Sequence, residues 1–134
     1  MRKGRQIRPV VPGKRRGIFL LPANGAKIYL NPTERTLYHL FMAHPEGIAA
    51  ENLLLYWQEL QQIYSQESRY DDSNLRDNAL ESLCAESKTV FYSNISRIKK
   101  KFITALGTRA AAGYIIKRCP DGLYRTRAML SLAL

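Results

Sequence analysis

Apolar residues near the N-terminus fall into two short β-prone runs that predict a hairpin. The runs are IFLL at residues 18–21 and KIYL at residues 27–30. The PANG segment between them contains the pair Asn24-Gly25, which supplies the positive φ angles that tight hairpin turns need. Residues 1–16 show no periodicity and contain two prolines and two glycines, so we expect them to form a flexible arm.

The spacing of apolar residues then changes to that of amphipathic helices. We expect Asn31 to cap the first helix, Pro32 to occupy its first position and Glu34 to complete a capping box. The HPEG segment at residues 44–47 should end this helix. Its buried face is predicted to consist of Leu37, Leu40 and Phe41.

Two further helices are predicted before residue 87. The first covers residues 49–65, and a polar connection at residues 69–74 leads to the second, which is short. The apolar face of the longer helix is Leu53, Trp57, Leu60 and Tyr64. That of the short helix is Leu75, Ala79, Leu80 and Leu83.

A fourth helix is predicted over residues 87–106, with Ser87 as its N-cap and Gly107 at its end. Lys99 and Lys101 project to either side of it, and Tyr92 lies at the edge of its polar face. At about 100° per residue, one side of the helix collects the apolar residues. These are Phe91, Ile95, Ile98, Phe102 and Leu106. The opposite side collects hydroxyl side chains and cations, namely Thr89, Ser93, Ser96, Arg97, Lys100 and Thr104.

A second hairpin is predicted from residues 114–118 and 123–127. The CPDG segment at residues 119–122 between them has the proline, aspartate and glycine of a tight turn. The strands carry four cations, which are Lys117, Arg118, Arg125 and Arg127. The order of a hairpin, three to four helices and a second hairpin predicts an α+β fold over residues 17–128.

The net charge of +10 is unevenly distributed along the chain. Residues 1–16 carry seven basic and no acidic side chains. Residues 17–87 have a net charge of −6, whereas residues 88–127 have a net charge of +9 and Asp121 as their single acid. A positive charge concentrated in this way favours a polyanionic partner.

The fourth helix and the second hairpin therefore form a predicted surface for double-stranded DNA. Short hydroxyl side chains let the helix approach base edges, Arg97 can read a guanine through a bidentate contact, and lysines can reach phosphates. The basic hairpin would grip the neighbouring backbone or minor groove. The predicted DNA-binding residues are Thr89, Tyr92, Ser93, Ser96, Arg97, Lys99, Lys100, Lys101, Lys117, Arg118, Arg125 and Arg127.

Two plainer interpretations of this surface stay open. Every surface helix has a polar side, so the polar side of the fourth helix could face only water. Charged residues on short strands could equally protect a sheet edge from aggregation.

Three short segments resemble the effector domains of OmpR/PhoB-type response regulators. They are NPTERTL at residues 31–37, ISRIKKKF at residues 95–102, and Gly113-Tyr114. The resemblance implies a winged helix-turn-helix fold and a transcriptional regulator, with its recognition helix over residues 87–106 and its wing over residues 114–127.

The sequence departs from that family in three respects. We expect no receiver domain ahead of the module, so the resemblance implies no control by phosphorylation of an attached domain. Residues 58–86 are longer than the corresponding loop of the family. Asn94 stands where the family often has histidine.

The sequence contains no motif for metal binding or catalysis. His39 and His44 are poorly aligned for one metal, and no Cys/His cluster has zinc spacing. Neither a phosphate loop nor a nucleophile motif is present. We therefore expect no enzyme, no metal and no cofactor. No apolar run is long enough for a membrane span or a signal peptide, so we expect a cytoplasmic protein.

A second hypothesis is a protein–protein interaction module on the same scaffold. Its partner would dock on the acidic residues 58–86 or on the apolar tail at residues 129–134. That tail is expected either to pack back on the helices or to form a homodimer interface, which would suit a two-fold DNA site.

Overall fold

The fold is known from a computed structural model that describes residues 11–12, 18–21, 26–67 and 73–129. Over these residues the chain has an α+β architecture that is mostly helical, as the sequence predicts. Five α-helices and one 3₁₀ helix occur in the described part, where three to four helices were expected. None of the described helices is both long enough and apolar enough to cross a bilayer.

A three-stranded antiparallel sheet lies at the N-terminal end of the described chain. Its strands are β1 (Val11–Pro12), β2 (Ile18–Leu21) and β3 (Ala26–Tyr29), in the order β1-β2-β3. The predicted hairpin is confirmed, because Ile18 pairs with Tyr29. Within residues 1–16, which were predicted to form a flexible arm, Val11–Pro12 pairs with β2. The rest of that arm and the PANG turn lie outside the described residues.

Helix α1 (Pro32–Ala43) begins at the predicted capping box. The Asn31 side-chain oxygen accepts a hydrogen bond from the Glu34 amide at 2.8 Å, and the Glu34 carboxylate accepts one from the Asn31 amide at 3.0 Å. Two amide groups that the first helical turn leaves unpaired are thereby satisfied. The helix ends at His44, as predicted.

The predicted helix over residues 49–65 is wrong in its first half. Residues Ala50–Tyr56 form a 3₁₀ helix, and only then does α2 (Trp57–Glu67) begin. Ala50 and Leu53 are buried and Tyr56 is partly buried, whereas Leu54 and Leu55 are exposed. Burial at every third position suits the three residues per turn of a 3₁₀ helix.

Helix α3 (Ser73–Cys84) confirms the predicted short helix, and α4 (Thr89–Leu106) is followed by the single turn α5 (Thr108–Ala111). The predicted cap at Ser87 is wrong. Lys88 is the N-cap of α4 and gives it no side-chain hydrogen bond. The Ser87 hydroxyl lies 3.0 Å from the hydroxyl of Thr89.

The C-terminal hairpin consists of β4 (Lys117–Arg118) and β5 (Tyr124–Arg125), and both strands are shorter than predicted. Residues 112–115 continue in turns after α5 and do not extend β4. The Tyr114 carbonyl accepts hydrogen bonds from the Tyr38 and Thr126 hydroxyls, at 2.6 and 2.9 Å. If β4 began at residue 114, this carbonyl would bond to a backbone amide of the neighbouring strand. Two side-chain hydroxyls take the place of that amide.

The segment after α1 ties this hairpin to the helices. Ile48 exchanges two backbone hydrogen bonds with Tyr124, at 3.0 and 2.9 Å. Gly47 precedes it with a φ of 99°, in the left-handed region that favours glycine. A Cβ atom at Gly47 would lie 2.9 Å from the Arg125 side chain, so the close approach also requires glycine.

One apolar core lies beneath α4. Phe91 in its first half packs against Phe41 of α1 and against Tyr124 of β5, with ring centroids 6.4 and 5.2 Å apart. Phe102 in its second half lies 5.2 Å from the Tyr38 ring. Helix α4 thus packs against α1 at both ends, and the first half of α4 also packs against the C-terminal hairpin.

Candidate nucleic-acid interface

Helix α4 keeps one side out of the core. Its buried residues are Phe91, Asn94, Ile98 and Phe102. Its exposed residues include Thr89, Tyr92, Ser96, Arg97, Lys99, Lys100 and Thr104, while Ser93 and Lys101 are half-buried. The predicted outward side is therefore the side that faces solvent, and its contact with DNA stays a prediction.

Asn94 belongs to the core side of α4. It is buried, and its side-chain nitrogen donates a hydrogen bond to the Val90 carbonyl at 2.9 Å. The position at which the sequence departs from the OmpR/PhoB-type pattern therefore lies away from the outward side of α4.

Glu34 joins α4 to the beginning of α1. Its carboxylate is fully buried, with 0% of the residue exposed, and it accepts a hydrogen bond from Arg97 Nε at 3.0 Å. Lys101, one turn further along α4, forms an ion pair with the other carboxylate oxygen. A buried carboxylate with two cationic partners and a backbone amide has the partners that burial demands.

These contacts set the ionisation of Glu34. Burial by itself would raise the pKa of its carboxyl, but hydrogen bonds from Lys101, the Asn31 amide and Arg97 outweigh this effect. The pKa of Glu34 therefore lies below its ordinary value. The group stays ionised at neutral pH and holds both cations.

Arg97 has a structural role that the sequence did not predict. Its Nε is bound to Glu34, although 51% of its side chain remains exposed. If Arg97 contacts a guanine, it does so with a guanidinium that Glu34 of α1 already orients. Because the side chain is held in place, little rotamer freedom remains to be lost on binding.

The C-terminal hairpin carries exposed cations next to α4. Lys117 and Arg118 of β4 are exposed, and so is Arg127, two residues beyond the end of β5. The Tyr92 ring of α4 lies 6.5 Å from the Tyr124 ring of β5, which places the hairpin on the Tyr92 side of the helix.

Arg125, the fourth predicted cation of this hairpin, is used within the protein. Its guanidinium donates to the Asp121 carboxylate at 2.6 and 3.1 Å and to the Glu46 carbonyl at 3.0 Å. These bonds brace the turn at residues 119–122 and attach it to the end of α1. They also pair Asp121, the single acid among residues 88–127.

A basic cleft of about 720 Å³ lies on the other side of α4, between this helix and β3. The sequence pattern did not predict that β3 forms one wall of this cleft. Lys27 and Tyr29 of β3 face outward while Ile28 is buried, and this alternation was the available signal. The polar residues that line the cleft are Lys27, Tyr29, Arg97, Lys100, Lys101 and Thr104.

His44 lies in a carboxylate pair and not in a metal cluster. Its Nδ1 is 3.0 Å from Glu46, and its Nε2 is 2.9 Å from Glu59. Among the residues that the structure describes, no group of three or more His, Cys, Asp or Glu side chains could hold a metal ion. Burial would lower the pKa of His44, but hydrogen bonds to Glu59 and Glu46 outweigh it and raise the pKa.

The His44 contacts predict a pH dependence of stability. A raised pKa in the folded state means that the stabilisation is complete below the unfolded pKa of about 6.5 and is lost as pH rises through the folded value. His44→Gln should therefore lower the free energy of unfolding by about 0.5–1 kcal/mol at acidic pH and by less at alkaline pH. Urea unfolding of both proteins across this pH range measures the difference, and a pH-independent difference would contradict the assignment.

Comparison of the chain with protein-family models, curated protein sequences and solved structures finds no match.

Proposed function

We propose that this chain binds double-stranded DNA as a winged helix-turn-helix protein and acts as a transcriptional regulator. Helix α4 would lie in the major groove, and the β4–β5 hairpin would act as the wing. The order of elements supports this, because a helical bundle is followed by α4 and then by a hairpin to which Ile48 is joined through an isolated β-bridge.

The distribution of paired and unpaired charge carries the proposal. Asp121, the only acid between residues 88 and 127, is already paired with Arg125. No carboxylate among the described residues pairs with the exposed cations Lys99, Lys100, Lys117 and Arg118. A surface with several cations and no paired carboxylates attracts a polyanion, because binding releases the counterions condensed on the polyanion.

Selection from a random duplex library at low salt tests the proposal. The full chain should retain an enriched set of sequences, and its affinity for them should fall linearly with the logarithm of the salt concentration. Retention of no duplex at low salt would contradict DNA binding. Equal affinity for enriched and scrambled duplexes would contradict the sequence-specific part of the proposal.

Lys100 and Arg97 should affect binding in different ways. Lys100→Ala should weaken binding to all duplexes alike and reduce the salt slope by about 0.9, because one phosphate contact is lost. Arg97→Ala should reduce the preference for the enriched sequence by about 5- to 100-fold. Fluorescence anisotropy with both duplexes measures each effect.

The stability of Arg97→Ala has to be measured beside its binding, because the substitution also removes a partner of Glu34. A salt slope that Lys100→Ala leaves unchanged would exclude a phosphate contact at this lysine.

Exposed apolar side chains support a second candidate function, a protein–protein module. Leu55 is 81% exposed, and Leu54 and Leu75 are also largely exposed. Leu54 and Trp57 line a cleft of about 360 Å³ together with Glu81 of α3. Large apolar residues left exposed are a feature of interaction surfaces when they form a continuous patch.

Neutralising three lysines, Lys99, Lys100 and Lys101, distinguishes the two functions. DNA affinity that is unaffected by this change would favour the protein–protein module. A solution mass that depends on residues 129–134 would assign association to the tail.

A further inference from the structure

The cleft between β3 and α4 has the chemistry of a phosphate site. Four cations line it (Lys27, Arg97, Lys100 and Lys101), and none of its lining residues is acidic. The buried Glu34 carboxylate pairs with two of them, Arg97 and Lys101. No carboxylate in the described part of the chain pairs with Lys27 or Lys100.

The cleft also contains a hydrogen-bond donor that suits an anion. Tyr29 is 61% exposed at the end of β3, and its phenol can donate to a phosphate oxygen. Lys27 and Tyr29 lie on the same side of β3, two residues apart, because alternate strand residues share a side. The strand thus brings a cation and a hydroxyl donor to the wall that faces α4.

The position of the cleft around α4 indicates which phosphate it would meet. Tyr92 contacts the hairpin, and Arg97 lines the cleft. At 100° per residue these two positions are about 140° apart around the helix axis, with Lys100 between them. The hairpin and the cleft therefore flank the outward side of α4 from opposite directions.

A helix in a major groove has a phosphate backbone on each side, because the groove is about 12 Å wide and the helix about 10–12 Å across. The hairpin would meet one backbone or the adjacent minor groove. From the geometry and the charges we infer that the cleft between β3 and α4 binds a backbone phosphate on the opposite side. This inference rests on the proposed DNA binding and adds Lys27 and Tyr29 to the interface.

Lys27→Gln tests the cleft on the duplex selected above. The salt slope should fall by about 0.9, and affinity at low salt should fall about 5- to 10-fold. Arg76→Gln is the matched control, because it removes one positive charge from α3 that is already paired with Asp77. This control should leave the slope unchanged. Equal thermal midpoints of Lys27→Gln and the wild type exclude an effect of folding.

Phosphate ethylation interference locates the contact. The wild type should be sensitive to ethylation on both backbones that border the occupied major groove. Lys27→Gln should lose sensitivity on one flank, and Lys117→Gln should lose it on the other flank. If Lys27→Gln keeps the full pattern and the full salt slope while the wild type binds DNA, the inference is wrong and the proposed function stands.

A free anion is the other source of the same chemistry. Inorganic phosphate and pyrophosphate, titrated into the ¹⁵N-labelled chain, would then shift the Lys27 and Tyr29 amides with saturation, and Lys27→Gln would leave DNA binding intact. That result overturns the inference in favour of a small anionic ligand. If the wild type binds no duplex at any salt concentration, the proposed function and the inference fail together.

Discussion

Ser96→Glu should weaken binding to the selected duplex by at least about 100-fold at about 0.1 M salt. Ser96 is exposed near the middle of the outward side of α4, flanked by Ser93 and Lys100. Glutamate would place a larger side chain and a negative charge on the side of the helix that, in the proposed function, faces base edges and phosphates. Both effects oppose binding, since the small hydroxyl permits close approach and the groove is strongly negative.

Ser82→Glu provides a matched control for this change. Ser82 is exposed on α3, so the substitution adds the same charge and volume on another helix. It should weaken DNA binding less than about threefold, through the change in net charge alone. Both variants should keep the wild-type thermal midpoint, because exposed substitutions usually change stability by less than about 0.5 kcal/mol. Wild-type DNA affinity of Ser96→Glu would contradict the proposed contact of α4 with DNA.

Glu34→Ala should lower the free energy of unfolding by about 2–3 kcal/mol at neutral pH. The substitution removes the glutamate half of the capping box and a buried charge that holds Arg97 and Lys101. The cost should stay below that of a fully buried pair, because both cations are partly exposed and can be solvated again. Urea unfolding measures the change, and Glu86→Ala on the surface is the control.

The effect of Glu34 should depend on pH in a definite direction. The pKa of Glu34 is lowered in the folded state. Its stabilisation is therefore complete above the ordinary value of about 4.3 and is lost as pH falls through the folded value. The difference between wild type and Glu34→Ala should shrink in acid.

Glu34→Gln separates the two contributions of this residue. Its amide oxygen can still accept from the Asn31 amide, so the capping contact is kept while the charge is lost. Equal unfolding midpoints of all three proteins at neutral pH would show that the ion pairs stabilise nothing.

Features set by neighbouring residues could be predicted from the sequence. The capping box at Asn31, the hairpin of β2 and β3 and the outward side of α4 each depend on patterns within a few residues, and each is present. The start of α4 could not be predicted as well. Ser87 and Lys88 both border it, and Lys88 is the N-cap although it makes no side-chain capping bond.

Contacts between distant residues could not be predicted in this way. Glu34 is recognisable as a capping residue, but its partners Arg97 and Lys101 lie 63 and 67 positions further along the chain. The cleft was missed for the same reason, since Lys27 becomes part of a basic surface only when β3 packs beside α4. Local periodicity shows which side of a strand is exposed, but it does not show what that side faces.

The attachment of the hairpin through Gly47 and Ile48 has a mechanical consequence. The hairpin is attached to the segment after α1 by two backbone hydrogen bonds between Ile48 and Tyr124 and by the close packing of Gly47 against Arg125. Helix α4 is attached to the same hairpin by the contact of Phe91 with Tyr124. The spacing between the hairpin cations and the outward side of α4 is therefore set before any partner arrives. A partner that contacts both elements meets a preorganised surface, so little conformational entropy is lost on binding. A groove whose width does not match this spacing would bind less tightly.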